Sequence, residues 1–288
     1  MRILNKTVCI CLAASILVLS SCGKDNKASS DKNEKSASSV AQSVADSSSK
    51  AEKSNIGKYL NAVAEKIKQG TYTMKCTVKA DNSDEEMKLV RAVDNKNVYQ
   101  IQQEKAGSYG IISAEGKTYN FDNATGMYQK TDAKPPLSII EEVVNRNLPR
   151  SEDIEVELPQ GTTAERYIFT GESYITYITF VFDVKTGDLK QCVLTYSIEG
   201  EDDVNETRTI DSFELTADKS YFDTSFLVKM ADFGDMTKDE KLTFCKKVCK
   251  ERGITSDDLD EYDVSEDDFR NIEFSAFLNL IYSVSEDK

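Results

Sequence analysis

The sequence contains no histidine and no tryptophan. Without histidine, Ser-His-Asp and Cys-His catalysis, HExxH metalloenzymes and every imidazole metal site are excluded in one step. Without tryptophan, the indole platforms common in sugar sites are missing. GxxxxGK, GxGxxG and GxSxG strings are absent too, so a phosphate loop or a nucleophile elbow has no support. Two carboxylates can hydrolyse a glycoside, but among 50 acidic residues some close pair is inevitable and points to nothing. The expectation is a protein that is not an enzyme and needs no cofactor or metal.

Positive charge is also scarce. Lys and Arg number 36 against 50 Asp and Glu, for a net charge of −14. Most of the imbalance lies after residue 54, where 28 basic residues face 45 acidic ones, a net charge of about −17. Such a balance argues against nucleic acid, whose phosphates demand Lys and Arg patches, and against electrostatic docking on anionic lipid. Its plain meaning is solubility.

No apolar run is long enough to span a membrane. The longest, Val8 to Leu19, is about a dozen residues, against the roughly 20 a spanning helix needs. It follows Arg2 and Lys6 and ends in small residues, which is the layout of an export signal over residues 1–21. The end "LSSC", Leu19 to Cys22, is similar to a bacterial lipobox. The resemblance implies diacylglycerol on the Cys22 thiol and cleavage that leaves this cysteine first in the mature chain. Two acyl chains suffice for stable anchoring where one does not. The expected location is the cell membrane, lipid-anchored on its extracytoplasmic face.

From Gly23 to Ser54 there is no Leu, Ile, Phe, Tyr or Pro, and ten of the 32 residues are Ser. A segment this polar cannot bury enough apolar surface to offset ordering entropy. Residues 22–54 therefore read as a tether with an r.m.s. span of roughly 30 Å.

Structure begins near Asn55. Ile56, Leu60, Val63 and Ile67 recur at helical spacing, and Gly70 stands where a C-terminal cap belongs. The period then changes to two: Tyr72, Met74, Cys76 and Val78 share one face of "TYTMKCTVK". Further strand-like runs follow at Met87–Val93, Val98–Gln103, Tyr109–Ser113, Lys117–Phe121 and Met127–Lys130, separated by short turn-forming stretches. Connections so short suit an antiparallel meander. Pro135 and Pro136 break it. A short helix follows, with Ser138 and Glu141 as a capping box and Ile140, Val143, Val144 and Leu148 as its stripe. Strands resume from Tyr167 to Thr170. In the next run Tyr174, Thr176, Ile178, Phe180 and Phe182 alternate with residues that are also apolar, as expected of a strand buried on both faces. The return strand reads as one-sided, with Cys192, Leu194, Tyr196 and Ile198 inward. A last strand runs from about Glu206 to Leu215.

This order of lipobox, tether, amphipathic helix, meander, helical interruption and second meander with "FDVKTGDLKQC" resembles the LolA-like lipoprotein-carrier superfamily. The resemblance covers about residues 55–230. It implies an α+β fold in which a strongly curved antiparallel sheet forms an open half-barrel over 55–235, with helices plugging its open side and an apolar ligand cavity between. The inward-facing residues would line such a cavity: Tyr72, Met74, Val78, Ile140, Val143, Val144, Ile178, Phe180, Leu194 and Tyr196.

Residues 236–288 change to an acidic helical segment. Thr237 with Glu240 forms a second capping box, Cys245, Val248 and Cys249 lie on its apolar side, and Gly253–Ile254 reads as a capped stop. Eight of the twelve residues 257–268 are acidic. Their spacing lacks the central Gly and final Glu of an EF-hand loop, which favours acids at helix N-termini over calcium. Ser265 reads as the start of one helix carrying Phe269, Ile272, Ala276, Phe277, Leu280 and Ile281. The cysteines Cys76, Cys192, Cys245 and Cys249 all fall on apolar faces, the pattern of buried thiols, although export permits disulfides.

Two functions of different class fit these features. One is a carrier or sensor whose partner is a lipid or other apolar molecule. The other is an adaptor that binds an envelope protein through its surface and has only a packed core inside. The lipobox can be checked directly: Cys22→Ser is expected to move the protein from membranes to the soluble fraction, and retention after a carbonate wash would refute the lipid anchor.

Overall fold

The structure, a computed structural model, describes residues 55–105, 107–169, 174–197 and 202–286. The export signal, Cys22, the tether, Thr170 and Ile198 lie outside the described residues.

Two meanders make one sheet. In the first, β1 (Thr71–Ala80), β2 (Glu86–Asp94), β3 (Asn97–Gln103), β4 (Ser108–Ala114), β5 (Lys117–Asp122) and β6 (Met127–Thr131) each pair antiparallel with the next. Glu115 and Gly116, both at positive φ, make the two-residue turn between β4 and β5. The second meander holds β7 (Arg150–Ser151), β8 (Thr162–Ile168), β9 (Ile175–Asp183), β10 (Leu189–Tyr196) and β11 (Val204–Glu214). Its last strand returns to pair antiparallel with β1. A two-residue β12 (Ala231–Asp232) adds to β6 in parallel. The order is β12-β6-β5-β4-β3-β2-β1-β11-β10-β9-β8-β7, twelve strands that do not close into a barrel. Both edges are two-residue strands, a common way to blunt an edge against unwanted pairing.

Curvature has local causes. Between Lys75 and Cys76 the register with β11 slips, leaving Asp211 as an extra residue that bends the strand. Its carboxylate accepts from Thr77 Oγ1 at 2.9 Å. Two further slips interrupt the β9–β10 pairing.

The concave face carries the helices. On α1 (Lys58–Ile67) the residues Leu60, Val63, Ala64 and Ile67 are buried, and the neighbouring Tyr59 ring stacks on Phe182 of β9 at 5.4 Å. Burial of a Leu, Val or Ile side chain contributes about 1.5–3 kcal/mol. The inserted α2 (Ile139–Asn145) buries Ile139, Ile140 and Val143 in the same core, alongside Tyr72, Phe180 and Leu194. A second core forms where Met127 and Tyr109 meet the C-terminal helices α3 (Lys238–Glu251), α4 (Ser256–Glu261), α5 (Glu266–Asn271) and α6 (Phe274–Glu286) around Phe233. The opposite face of β3–β5 presents Ile101, Ile112 and Phe121, covered by Leu227 and Phe226 from the second of two 3-10 turns, Lys219–Phe222 and Ser225–Lys229.

The start of α1 is fixed from 105 residues away. Its N-cap is Gly57, which offers no side-chain acceptor. Glu165 of β8, 2 % exposed, supplies both oxygens instead: Oε1 accepts from the Tyr59 amide at 3.0 Å and Oε2 from the Leu60 amide at 3.1 Å. The Tyr167 hydroxyl also donates to Oε2 at 2.9 Å and accepts from the Gly57 amide at 2.9 Å. A carboxylate against helix-terminal N–H groups is favourable by charge and by hydrogen bonding. Position 57 must be glycine here, because a Cβ would run into that carboxylate.

Several expectations need correction. β8 begins at Thr162, five residues before the strand read from Tyr167, and Tyr174 is exposed at 57 % just ahead of β9. The return strand β10 is not one-sided: Val193 and Thr195 are buried as well, in register with Thr179 and Tyr177 of β9. The single helix expected from Ser265 is broken at Ile272, whose backbone is extended and whose carbonyl accepts from Lys241 Nζ at 3.2 Å. The break lets Phe269 and Phe274, on successive helices, both reach the cluster around Phe233 and Phe277.

Glu165→Ala should strand two helix amides and a tyrosine hydroxyl, costing about 2–4 kcal/mol given roughly 1–3 kcal/mol for each buried unsatisfied group after partial relaxation. Urea denaturation followed by circular dichroism measures it. A loss below about 0.5 kcal/mol, the level of an ordinary surface substitution, would show that the carboxylate does not hold the helix.

Candidate functional site

The connection between the two meanders places α2 over the concave face. Ser138 Oγ accepts from the Glu141 amide at 3.2 Å and Glu141 Oε2 accepts from the Ser138 amide at 2.7 Å, the capping box read from the sequence. Pro135 and Pro136 set the entry to this helix, and Leu137 beside them is exposed at 42 %.

Beneath α2 lies a cleft. Its walls are Met74 and Cys76 of β1, Leu89 and Arg91 of β2, Gln100, Phe180, Leu189, Cys192, Arg208 and Ile210, and its roof is Pro136 to Ile140. The free space is about 40 Å³, room for a few water molecules. Ligand pockets run to roughly 300–1,000 Å³, so an apolar molecule enters only if the roof moves.

Arg91 holds the roof. It is 3 % exposed and projects from the sheet in phase with Met87, Leu89 and Val93. Nε donates to the Tyr72 hydroxyl at 2.9 Å and one terminal amine donates to Gln100 Oε1 at 2.8 Å. The other terminal amine donates to the Pro136 carbonyl at 2.9 Å and approaches Glu141 Oε2 at 3.4 Å. One guanidinium thus ties two strands to the cap and first turn of α2. Burial pushes the Tyr72 hydroxyl above its ordinary value, so it stays protonated.

Arg208 lies on the other wall. Its Nε donates to Glu206 Oε1 at 2.7 Å, and the Tyr196 hydroxyl sits 3.5 Å from Glu206 Oε2. Burial works against the Arg208 charge, but Glu206, Tyr196 and Cys192 together outweigh it and raise the group above its ordinary value.

The ten residues expected to line a cavity are brought together, nine buried in one core and Val144 half-buried against it. Only Met74, Ile140 and Phe180 of them face the cleft. The others are packing. Sequence reading passed over Arg91, Gln100 and Arg208, and a signal for two of them was there. Arg91 and Arg208 are charges in phase with apolar residues of their own strands.

Cys76 and Cys192 both face the cleft, but β11 separates their strands. Two strand spacings of about 4.8 Å each exceed the roughly 7 Å Cα limit of a disulfide. All four described cysteines are free and buried. Desolvation pushes the Cys76 and Cys249 thiols up to about 11 and those of Cys192 and Cys245 to about 12.

No protein-family profile and no curated protein matches the chain. Among solved structures it is similar to a domain from Vibrio parahaemolyticus named as an outer membrane lipoprotein-sorting protein, at 10 % identity and a TM-score of 0.28. The match covers 58 % of this chain and 97 % of that one. The strand order itself defines the fold.

The thiols give a test. In the Cys22→Ser protein, lacking its signal, a thiol reagent at pH 8 should label none of the four cysteines while folded and all four in denaturant. Fewer than four in denaturant would mean a disulfide, and rapid native labelling would mean an open cleft or C-terminal core.

Proposed function

We propose that the chain is a membrane-anchored, extracytoplasmic lipoprotein of LolA-like kind that binds a lipid or other apolar molecule between its sheet and α2, without catalysis. The observation that carries this reading is the roof. α2 is a short insertion that covers the concave face and is pinned through a single cation, Arg91, which donates to its Pro136 carbonyl. Lids are drawn from the less stable parts of a fold, and a seven-residue helix that contributes three buried side chains, against four from the ten-residue α1, suits that role. In this reading the structure is the closed form, and ligand entry exchanges the contacts of Ile140 and Val143 for contacts with the guest. The lipobox and the polar tether support delivery to, or capture from, the membrane to which Cys22 would attach.

One observation favours a second reading. The cleft holds only about 40 Å³, as a filled interior would. On that reading the chain is an adaptor for another envelope protein.

An uncharged fluorescent dye such as phenylnaphthylamine separates the two. The wild-type protein should take it up with enhanced emission. Val143→Asp, which puts a charge on the inner face of α2, should abolish uptake while the protein keeps a cooperative melt at a lower temperature, because a peripheral lid can swing outward at the cost of its three buried side chains. Absence of uptake by the wild type favours the adaptor. Outright unfolding of the variant would make α2 part of an ordinary core.

A further inference from the structure

Resting on the carrier reading, we infer that the ligand carries an anionic headgroup, a carboxylate or phosphate, and that Arg208 receives it. The two arginines of the cleft are employed differently. Arg91 spends Nε and both terminal amines on Tyr72, Gln100 and the α2 cap. Arg208 spends only Nε, on Glu206. Its terminal amines have no partner among the described residues, while its side chain, 13 % exposed, lines the cleft.

Without a guest those amines reach solvent, since the buried side-chain atoms lacking a partner among the described residues are Arg166 Nε and Thr179 Oγ1; a guest in the cleft would change that. Arg208 stands between Val78 and Cys192 in register on the neighbouring strands, and Ile210 and Cys76 continue the same wall. Guanidinium donors facing apolar side chains need water or an acceptor. A neutral apolar guest that filled the cleft would expel the water and leave them bare. An anionic amphiphile would replace it: the free fork presents two parallel N–H donors, the geometry that a carboxylate or phosphate accepts. Its acyl chain would then run along Met74, Leu89 and Phe180 toward the roof. Glu206 keeps the guanidinium charged and oriented, and being bonded to Nε it leaves the fork open.

Parinaric acid and its methyl ester test this on the whole mature protein. Hydrogen bonds to a charged group are worth about 1.5–3 kcal/mol, so the acid should bind the wild type at least roughly tenfold more tightly than the ester. Glu206→Gln with Arg208→Gln removes both charges together and avoids leaving either buried alone. In that variant, checked for wild-type-like melting, the acid should fall to the affinity of the ester and the ester should be unchanged. Arg208→Lys keeps the charge without the fork and should retain only part of the preference. Equal binding of acid and ester by the wild type overturns the headgroup assignment and leaves the carrier reading intact. A preference that survives the double variant removes Arg208 from the role. Binding of neither probe ends both readings. If inorganic phosphate raises the melting temperature of the wild type alone, and parinaric acid shows no advantage over its ester, the anion is a free one and the amphiphile is wrong.

Discussion

The pairing of β1 with β11 joins strands about 130 residues apart, and it makes the two meanders one sheet with one concave face. Each meander could form its own ladder from local turns. Neither alone has a concave face, because the inward residues of β1 and β2 need those of β9 and β10 opposite them to bury α1 and α2. At the seam, Met74 lies beside Phe213, Cys76 beside Ile210 and Val78 beside Arg208. The bulge at Asp211 bends this seam, so the curvature that makes a cleft is built at the place where the meanders meet.

Buried polar groups then decide where the helices sit. Apolar burial is non-directional and would accept many placements of two short amphipathic helices on a greasy sheet. Glu165 selects one for α1 by accepting its first free amides, and Arg91 selects one for α2 by donating to its cap. The two interactions differ in what they permit. The first belongs to a 10-residue helix with four buried side chains. The second belongs to a 7-residue helix with three.

The C-terminal helices use the acidic excess structurally. Glu240, Asp258 and Asp268 each complete a capping box at the start of α3, α4 and α5, and Asp257, Glu266 and Asp267 lie in the first turns of α4 and α5. Asp122, fully buried, docks the last helix by accepting from the Tyr282 hydroxyl at 2.6 Å and from Thr125 in its own turn. Burial, with Asp122 adding to it, keeps that tyrosine protonated.

The sequence by itself determined the elements whose signals are local. Period-two alternation marked Tyr72 to Val78 as a strand with one inward face, Ser138 and Glu141 marked the start of α2, and Gly253 with Ile254 marked the end of α3. There the Ile254 amide donates to the Cys249 carbonyl at 2.8 Å. Periodicity and capping depend on neighbours within four residues, so they survive in a linear string. The tertiary structure alone decided what depends on distant chain. Nothing near Gly57 announces that its helix is capped by Glu165, and nothing in the run from Ser265 announces the break at Ile272, which answers to Lys241 and to the aromatic cluster around Phe233. The two cleft arginines stood in the string as charges in phase with apolar neighbours. Their different settings follow from partners that the fold brings to them, Pro136 and Glu141 for one and, among the described residues, Glu206 for the other. Hydrogen bonding needs atoms within about 3 Å, and only the folded chain sets distances across a hundred residues.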